Sequence, residues 1–161
     1  MKTKLIKMMA LLAVASGLVT MAAAGTAPTE VPQSRNLEGT WSMQITLNDC
    51  AGHTIRTFPT LIVFVHGGSL TEASGGTAPA LVTGGKGVWS HTTAHTYAFR
   101  FKDFNFNSSF VLTGWSIISG TLTVDETGDA NAGPATVELY NASGVLLATV
   151  CADAVGTRFE L

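Results

Sequence analysis

Four histidines and two cysteines are the residues of this chain whose types most readily carry chemistry. His91 and His95 flank a short polar turn that could bring two imidazoles to one metal ion, with His66 or His53 as neighbours. Spacing supplies no carboxylate or third ligand, so the expectation is solvated loop histidines and no metal site. Cys50 and Cys151 permit a single intramolecular pairing, and nothing resembles the Cys-x-x-Cys pair of a thiolate metal site. No serine stands in a Gly-x-Ser-x-Gly elbow, and no spacing sets an acid beside a histidine beside a nucleophile. Paired carboxylates for glycoside chemistry are hard to place, because most of the eleven acids fall in turns or on the polar parity of strands. Glu138, between Val137 and Leu139, is one of these. The residues therefore predict no catalytic group and no cofactor, and weigh against an enzyme. Asn107-Ser108-Ser109 and Asn141-Ala142-Ser143 match the glycosylation sequon but read as turn composition.

The elements that would position any site are strands. From Leu37 to Asn48 apolar and polar residues alternate, with Trp41, Met43, Ile45 and Leu47 on one side and Ser42, Gln44, Thr46 and Asn48 on the other. Thr60–Val65 is apolar on both faces and is expected to be central or covered outside. His66-Gly67-Gly68 turns it into a short partner, Ser69–Ala73. Ser74–Gly85 is a patternless loop of Gly, Ala, Thr and Pro, suited to a lid or rim. Lys86–Ser90 and Thr96–Phe101 form a hairpin whose second arm puts Tyr97, Phe99 and Phe101 on one face. Phe104 and Phe106 have the opposite parity, and a one-residue bulge near Asp103 is expected to return them to the core. Ser109–Val124 reads as one bent strand or two short ones, and Thr136–Tyr140 with Val145–Ala152 as the last hairpin.

No segment after the first 24 residues has a helical period, so the fold class is all-β: an antiparallel barrel of eight or nine strands, with a β-sandwich as the alternative. A barrel follows if the first and last strands pair, leaving no edge. With Cys50 opposite Cys151, paired positions sum to 201; Arg158 then lies across from Met43 and diagonal to Trp41, and one register accounts for a disulfide and a cation over an indole. The alternative is a last segment broken at Gly156 with Arg158 exposed.

Residues 1–24 read as a secretory signal peptide: Lys2, Lys4 and Lys7, an apolar run from Met8 to Met21, then Ala22-Ala23-Ala24 before Gly25. Residues 25–36 read as a flexible leader and 37–161 as the barrel domain. Removing the signal takes three of nine basic residues and none of eleven acidic ones, moving the net charge from −2 to −5. No basic stripe remains for nucleic acid, and the apolar run is too short for stable membrane insertion. The expected location is exported, periplasmic or extracellular, where a disulfide persists.

Gly39-Thr40-Trp41 with Arg158 resembles the Gly-x-Trp and late-arginine pairing of lipocalins and the wider calycin barrels. That resemblance implies a tryptophan closing the bottom of a barrel with the arginine packed over it. More of the chain is similar to small exported bacterial proteins of unassigned function. The shared pieces are Gly39-Thr40-Trp41, Asp49-Cys50-Ala51-Gly52, Gly67–Glu72, Gly87-Val88-Trp89, Cys151 and Gly156–Phe159; that group implies no activity.

An eight-stranded barrel is just wide enough to be filled by its own side chains or to hold one small ligand. By strand parity the candidate lining is Trp41, Met43, Ile45, Trp89, Tyr97, Phe99, Phe101, Val137 and Leu139. The leading functional reading is a pocket for a small hydrophobic molecule. The alternatives are a filled structural core, or a cyclase or isomerase of the allene oxide cyclase-like barrel type, whose sites need few charged groups.

Overall fold

The computed structural model describes residues 36–161, and the expected signal peptide (1–24) and all of the expected leader (25–36) except Asn36 lie outside the described residues. Eight strands follow one another: β1 (Gly39–Asn48), β2 (Thr54–Val65), β3 (Ser69–Ser74), β4 (Lys86–Thr93), β5 (Thr96–Phe106), β6 (Leu112–Val124), β7 (Ala130–Asn141) and β8 (Leu146–Arg158). Each pairs antiparallel with the next, and β8 pairs with β1, so the sheet closes into a barrel and is not a sandwich. Closure satisfies the backbone groups that edge strands would leave unpaired.

β8 runs unbroken through Gly156, which pairs with Met43. The register differs from expectation by two residues. Trp41 pairs directly with Arg158 and Asn48 with Cys151, so paired positions sum to 199. Cys50 lies beyond the ladder, in a left-handed turn at φ 63°, and reaches back to Cys151 from there with Cα atoms 4.9 Å apart. A slip of two leaves every side chain on its expected face. The bridge belongs to an oxidising, non-cytoplasmic environment.

One further expectation is corrected. No bulge occurs at Asp103: β5 stays in register with β6 from Thr96 to Asn105, and the shift falls between Asn105 and Phe106. Asp103 therefore turns inward with Phe101 and Phe99, while Phe104 stays outside, 41% exposed, with the Lys102 ammonium 5.0 Å from its ring centroid. β2 is central, paired by β1 on one side and β3 on the other, and on its outer face Leu61 and Val65 are exposed.

One end of the barrel is filled. Leu37, Trp41, Phe64, Leu70, Leu122 and Val124 are almost wholly buried there. Arg158 covers this end: its guanidinium carbon lies 4.4 Å from the Trp41 ring centroid. Its Nε donates to Gly128 O at 2.7 Å, Nη1 to Glu38 O and Nη2 to Asn36 O, both at 2.8 Å. Trp41 Nε1 donates to Leu37 O at 2.9 Å. Gly39 is required by this arrangement, because a Cβ there would lie 2.9 Å from Arg158 Nη1 and its φ of +118° disfavours any side chain.

Candidate functional site

The other end is hollow. Its loops are 49–53, 75–85, 107–111 and 142–145, and below them a cavity of about 320 Å³ occupies the barrel interior. The cause is visible in side-chain size along β7 and β8. Their inward positions at mid-barrel are Ala135, Val137, Val150, Ala152 and Ala154, and Ala135 pairs directly with Ala152. Small residues beside small residues leave the opposite wall, Phe58, Phe99 and Phe101, without partners across the lumen.

Of the nine residues expected to line the interior, Met43, Ile45, Phe99, Phe101, Val137 and Leu139 border this cavity. Trp41, Trp89 and Tyr97 do not. Trp41 is part of the filled end, and Trp89 and Tyr97 pack edge-on to each other at 5.7 Å between centroids, with Trp89 also against Phe64 at 6.0 Å. Trp89 Nε1 is occupied by Val65 O at 3.0 Å.

Two acids that the sequence reading did not single out also face the cavity. Glu72 on β3 is 8% exposed; its Oε1 accepts from Thr60 Oγ1 at 2.6 Å and its Oε2 from Gly85 N at 3.2 Å. Asp103 on β5 accepts from Ser116 N at 3.2 Å, and Ser116 Oγ accepts in turn from Asn105 Nδ2 at 3.0 Å. Burial raises the pKa of both carboxyls above the ordinary range. For Glu72 the negative charge of Asp103 raises it further, and for both the hydrogen bonds named act in the opposite sense. The signal was parity: Glu72 is two residues from the buried Leu70, and Asp103 two from the buried Phe101.

Among the described residues Arg56 is the one cation bordering the cavity. It sits near the mouth, donating to Gly76 O at 2.6 Å with its guanidinium 4.9 Å from the Phe58 ring centroid. The 75–85 loop contributes Thr77 and Val82 to the wall and is tied down by pairing of Val82 with Asn105 and by hydrogen bonds from Thr83 N to Phe104 O and from Phe106 N to Leu81 O. It is a fixed part of the rim.

The histidines lie elsewhere. His53 pairs with Asp49 at 2.8 Å, His66 with Glu38 at 2.9 Å, and His91 Nε2 contacts Ala94 O at 2.7 Å. Among the described residues no group of three or more His, Cys, Asp or Glu side chains is arranged to hold a metal ion. Searches against protein-family models and curated proteins give no match to this chain.

Proposed function

We propose that this is an exported barrel protein that binds one small hydrophobic molecule in the hollow half of its interior. The observation that carries the reading is the cavity: about 320 Å³, bordered mainly by aliphatic and phenyl side chains and lying at the end opposite the plug. That volume falls at the lower end of the range of small-molecule sites, and a few placed polar groups in an apolar wall are the usual composition of such sites. The signal-like residues 1–24 and the disulfide support export to the periplasm or beyond. The likeness of Gly39-Thr40-Trp41 and Arg158 to the lipocalin pairing supports the same reading.

The test is a titration with the neutral apolar fluorophore N-phenyl-1-naphthylamine. Saturable binding of one molecule per chain is expected. The double variant Ala135→Leu and Ala152→Leu, which fills the cavity from its small-residue wall, is expected to lose that binding while keeping the strand circular dichroism; Ala152→Leu alone serves where the double variant does not fold. Absence of saturable binding to the wild type, or undiminished binding in a folded filled variant, overturns the reading. Probe emission is the readout because neither Trp41 nor Trp89 borders the cavity.

A further inference from the structure

We propose that the molecule bound in the cavity is a cationic amphiphile, an apolar chain ending in a protonated amine, with the ammonium held between Glu72 and Asp103. This deepens the pocket reading and rests on it.

The argument starts from where the two carboxyls stand. β3 ends at Ser74 and β4 begins at Lys86, so at the level of Glu72 and Asp103 the chain between them is Gly84-Gly85. Gly85 brings no side chain, and none would fit: a Cβ there would lie 2.6 Å from the Phe101 ring and 3.1 Å from Glu72 Cβ. Both acids thus border one cavity with no side chain of the intervening segment between them.

Among the described residues neither acid has a counter-charge. Lys86, which pairs with Thr71 and Lys102, is exposed, and Lys102 lies over Trp115 on the outer surface at 4.0 Å. Arg56, the one cation on the cavity wall among the described residues, is engaged at the mouth by Gly76 O and Phe58. No ion pair joins either acid to a cation among the described residues. The cavity-lining residues of β1, β6, β7 and β8, among them Met43, Ser116, Ala135 and Ala154, are not titratable, and Arg56 is the one titratable group that β2 adds.

Backbone N–H groups are aimed at both acids, from Gly85 to Glu72 Oε2 and from Ser116 to Asp103 Oδ1, while Thr60 Oγ1, 2.6 Å from Glu72 Oε1 and 2.9 Å from Ala73 O, has one proton to share between them. The backbone donors favour the anions, against the burial that raises both pKa values. A buried carboxylate beside a half-buried one, with hydrogen bonds but no cation, is costly alone and becomes favourable once a ligand brings the positive charge. A carboxylate ligand meets repulsion in the same place. An alcohol gains a hydrogen bond without the charge, which is the weaker of the two interactions.

The experiment compares decylammonium, decanol and decanoate by calorimetry at pH 7 and fixed ionic strength, where an alkylamine is protonated. Decylammonium is expected to bind at least about tenfold more tightly than decanol, the difference one charge-assisted hydrogen bond supplies, and decanoate more weakly than either. In Glu72→Gln with Asp103→Asn the amine-to-alcohol ratio is expected to fall to within about twofold. Should the double variant not fold, the order of the three ligands on the wild type still decides. Equal binding of amine and alcohol, a preference for decanoate, or a ratio that survives the double substitution overturns the amine assignment and leaves the pocket standing. Failure of all three to bind overturns the pocket as well.

Discussion

Replacing Arg158 by alanine should be the most damaging single change at the filled end, and the structure sets its size. The guanidinium makes three hydrogen bonds to carbonyls of Gly128, Glu38 and Asn36 and lies over the Trp41 ring, with the side chain only 12% exposed. Hydrogen bonds from a charged group contribute about 1.5 to 3 kcal/mol each where water is excluded, but Asn36 O is at the surface and can be rehydrated, so about 1 kcal/mol apiece is the working figure. A cation over an indole adds about 1 kcal/mol. The sum is about 4 kcal/mol, a large share of the roughly 5 to 15 kcal/mol by which a domain of this size is stable. Arg158→Lys keeps the charge but loses the planar fork, so it should forfeit about half of this. Urea unfolding of the oxidised protein measures the effect. At a slope of about 2 kcal/mol per molar, Arg158→Ala should lower the midpoint by roughly 2 M with the slope unchanged. A shift below about 0.3 M, or a lysine variant indistinguishable from wild type, refutes the idea that this side chain clamps the end of the barrel.

Two other outcomes follow from the same reasoning. Substituting both cysteines by serine opens a link between residues 101 apart in sequence; the chain-entropy model gives at most about 4.7 kcal/mol for such a loop, so the urea midpoint should fall by up to about 2.4 M at a slope of about 2 kcal/mol per molar, and a change under about 1 kcal/mol counts against the bridge as a stabiliser. The acids give a pH signature. The folded pKa values of Glu72 and Asp103 are raised, so the native state holds more protons than the unfolded chain above the ordinary carboxyl range, and stability falls as pH rises through the raised values. Glu72→Gln should therefore melt higher than wild type at pH 7, with the gap closing below about pH 4, where both states are protonated. Asp49 and Asp125 act oppositely, because their pKa values are lowered by hydrogen bonds from His53 and Thr127 respectively; their contribution is lost as pH falls through those lowered values. Calorimetric melting of both proteins from pH 3 to 8 separates the effects, and a Glu72→Gln variant no more stable than wild type at pH 7 contradicts the picture.

What was legible in the sequence was parity. Alternation over Gly39–Asn48 placed Trp41 and Met43 inside, and two cysteines near the ends of the barrel domain were enough to bring β1 against β8. The exact register was not legible, because a disulfide fixes its partners only to within the reach of a turn, and Cys50 makes its bond from a left-handed position that no local pattern announces. Asp103 was misplaced for a different reason. Moving Phe104 and Phe106 inward by a bulge assumes that aromatic rings go to the core, yet a ring on the outer face can be covered by an aliphatic ammonium chain, as Lys102 covers Phe104 and Trp115. Holding strictly to alternation would have put Asp103 beside Phe101 in the lumen. The rim contacts of the 75–85 loop were out of reach, since Val82 meets Asn105 only after the barrel has closed.

The placement of strong and weak points follows from one constraint. The cavity replaces apolar packing in the hollow half of the barrel, and the buried Glu72 and part-buried Asp103 carry a desolvation cost there. Packing across the lumen cannot offset that cost in the hollow half, because Ala135, Ala152 and Ala154 are what make it hollow. Compensation has to come from elements outside the cavity, and it is concentrated on the β1–β8 seam that turns the sheet into a tube. Arg158 fastens that seam at the filled end, reaching across to Glu38 and Asn36, and the Cys50–Cys151 bond fastens it at the hollow end. A barrel whose seam is closed at both ends can keep open space between them.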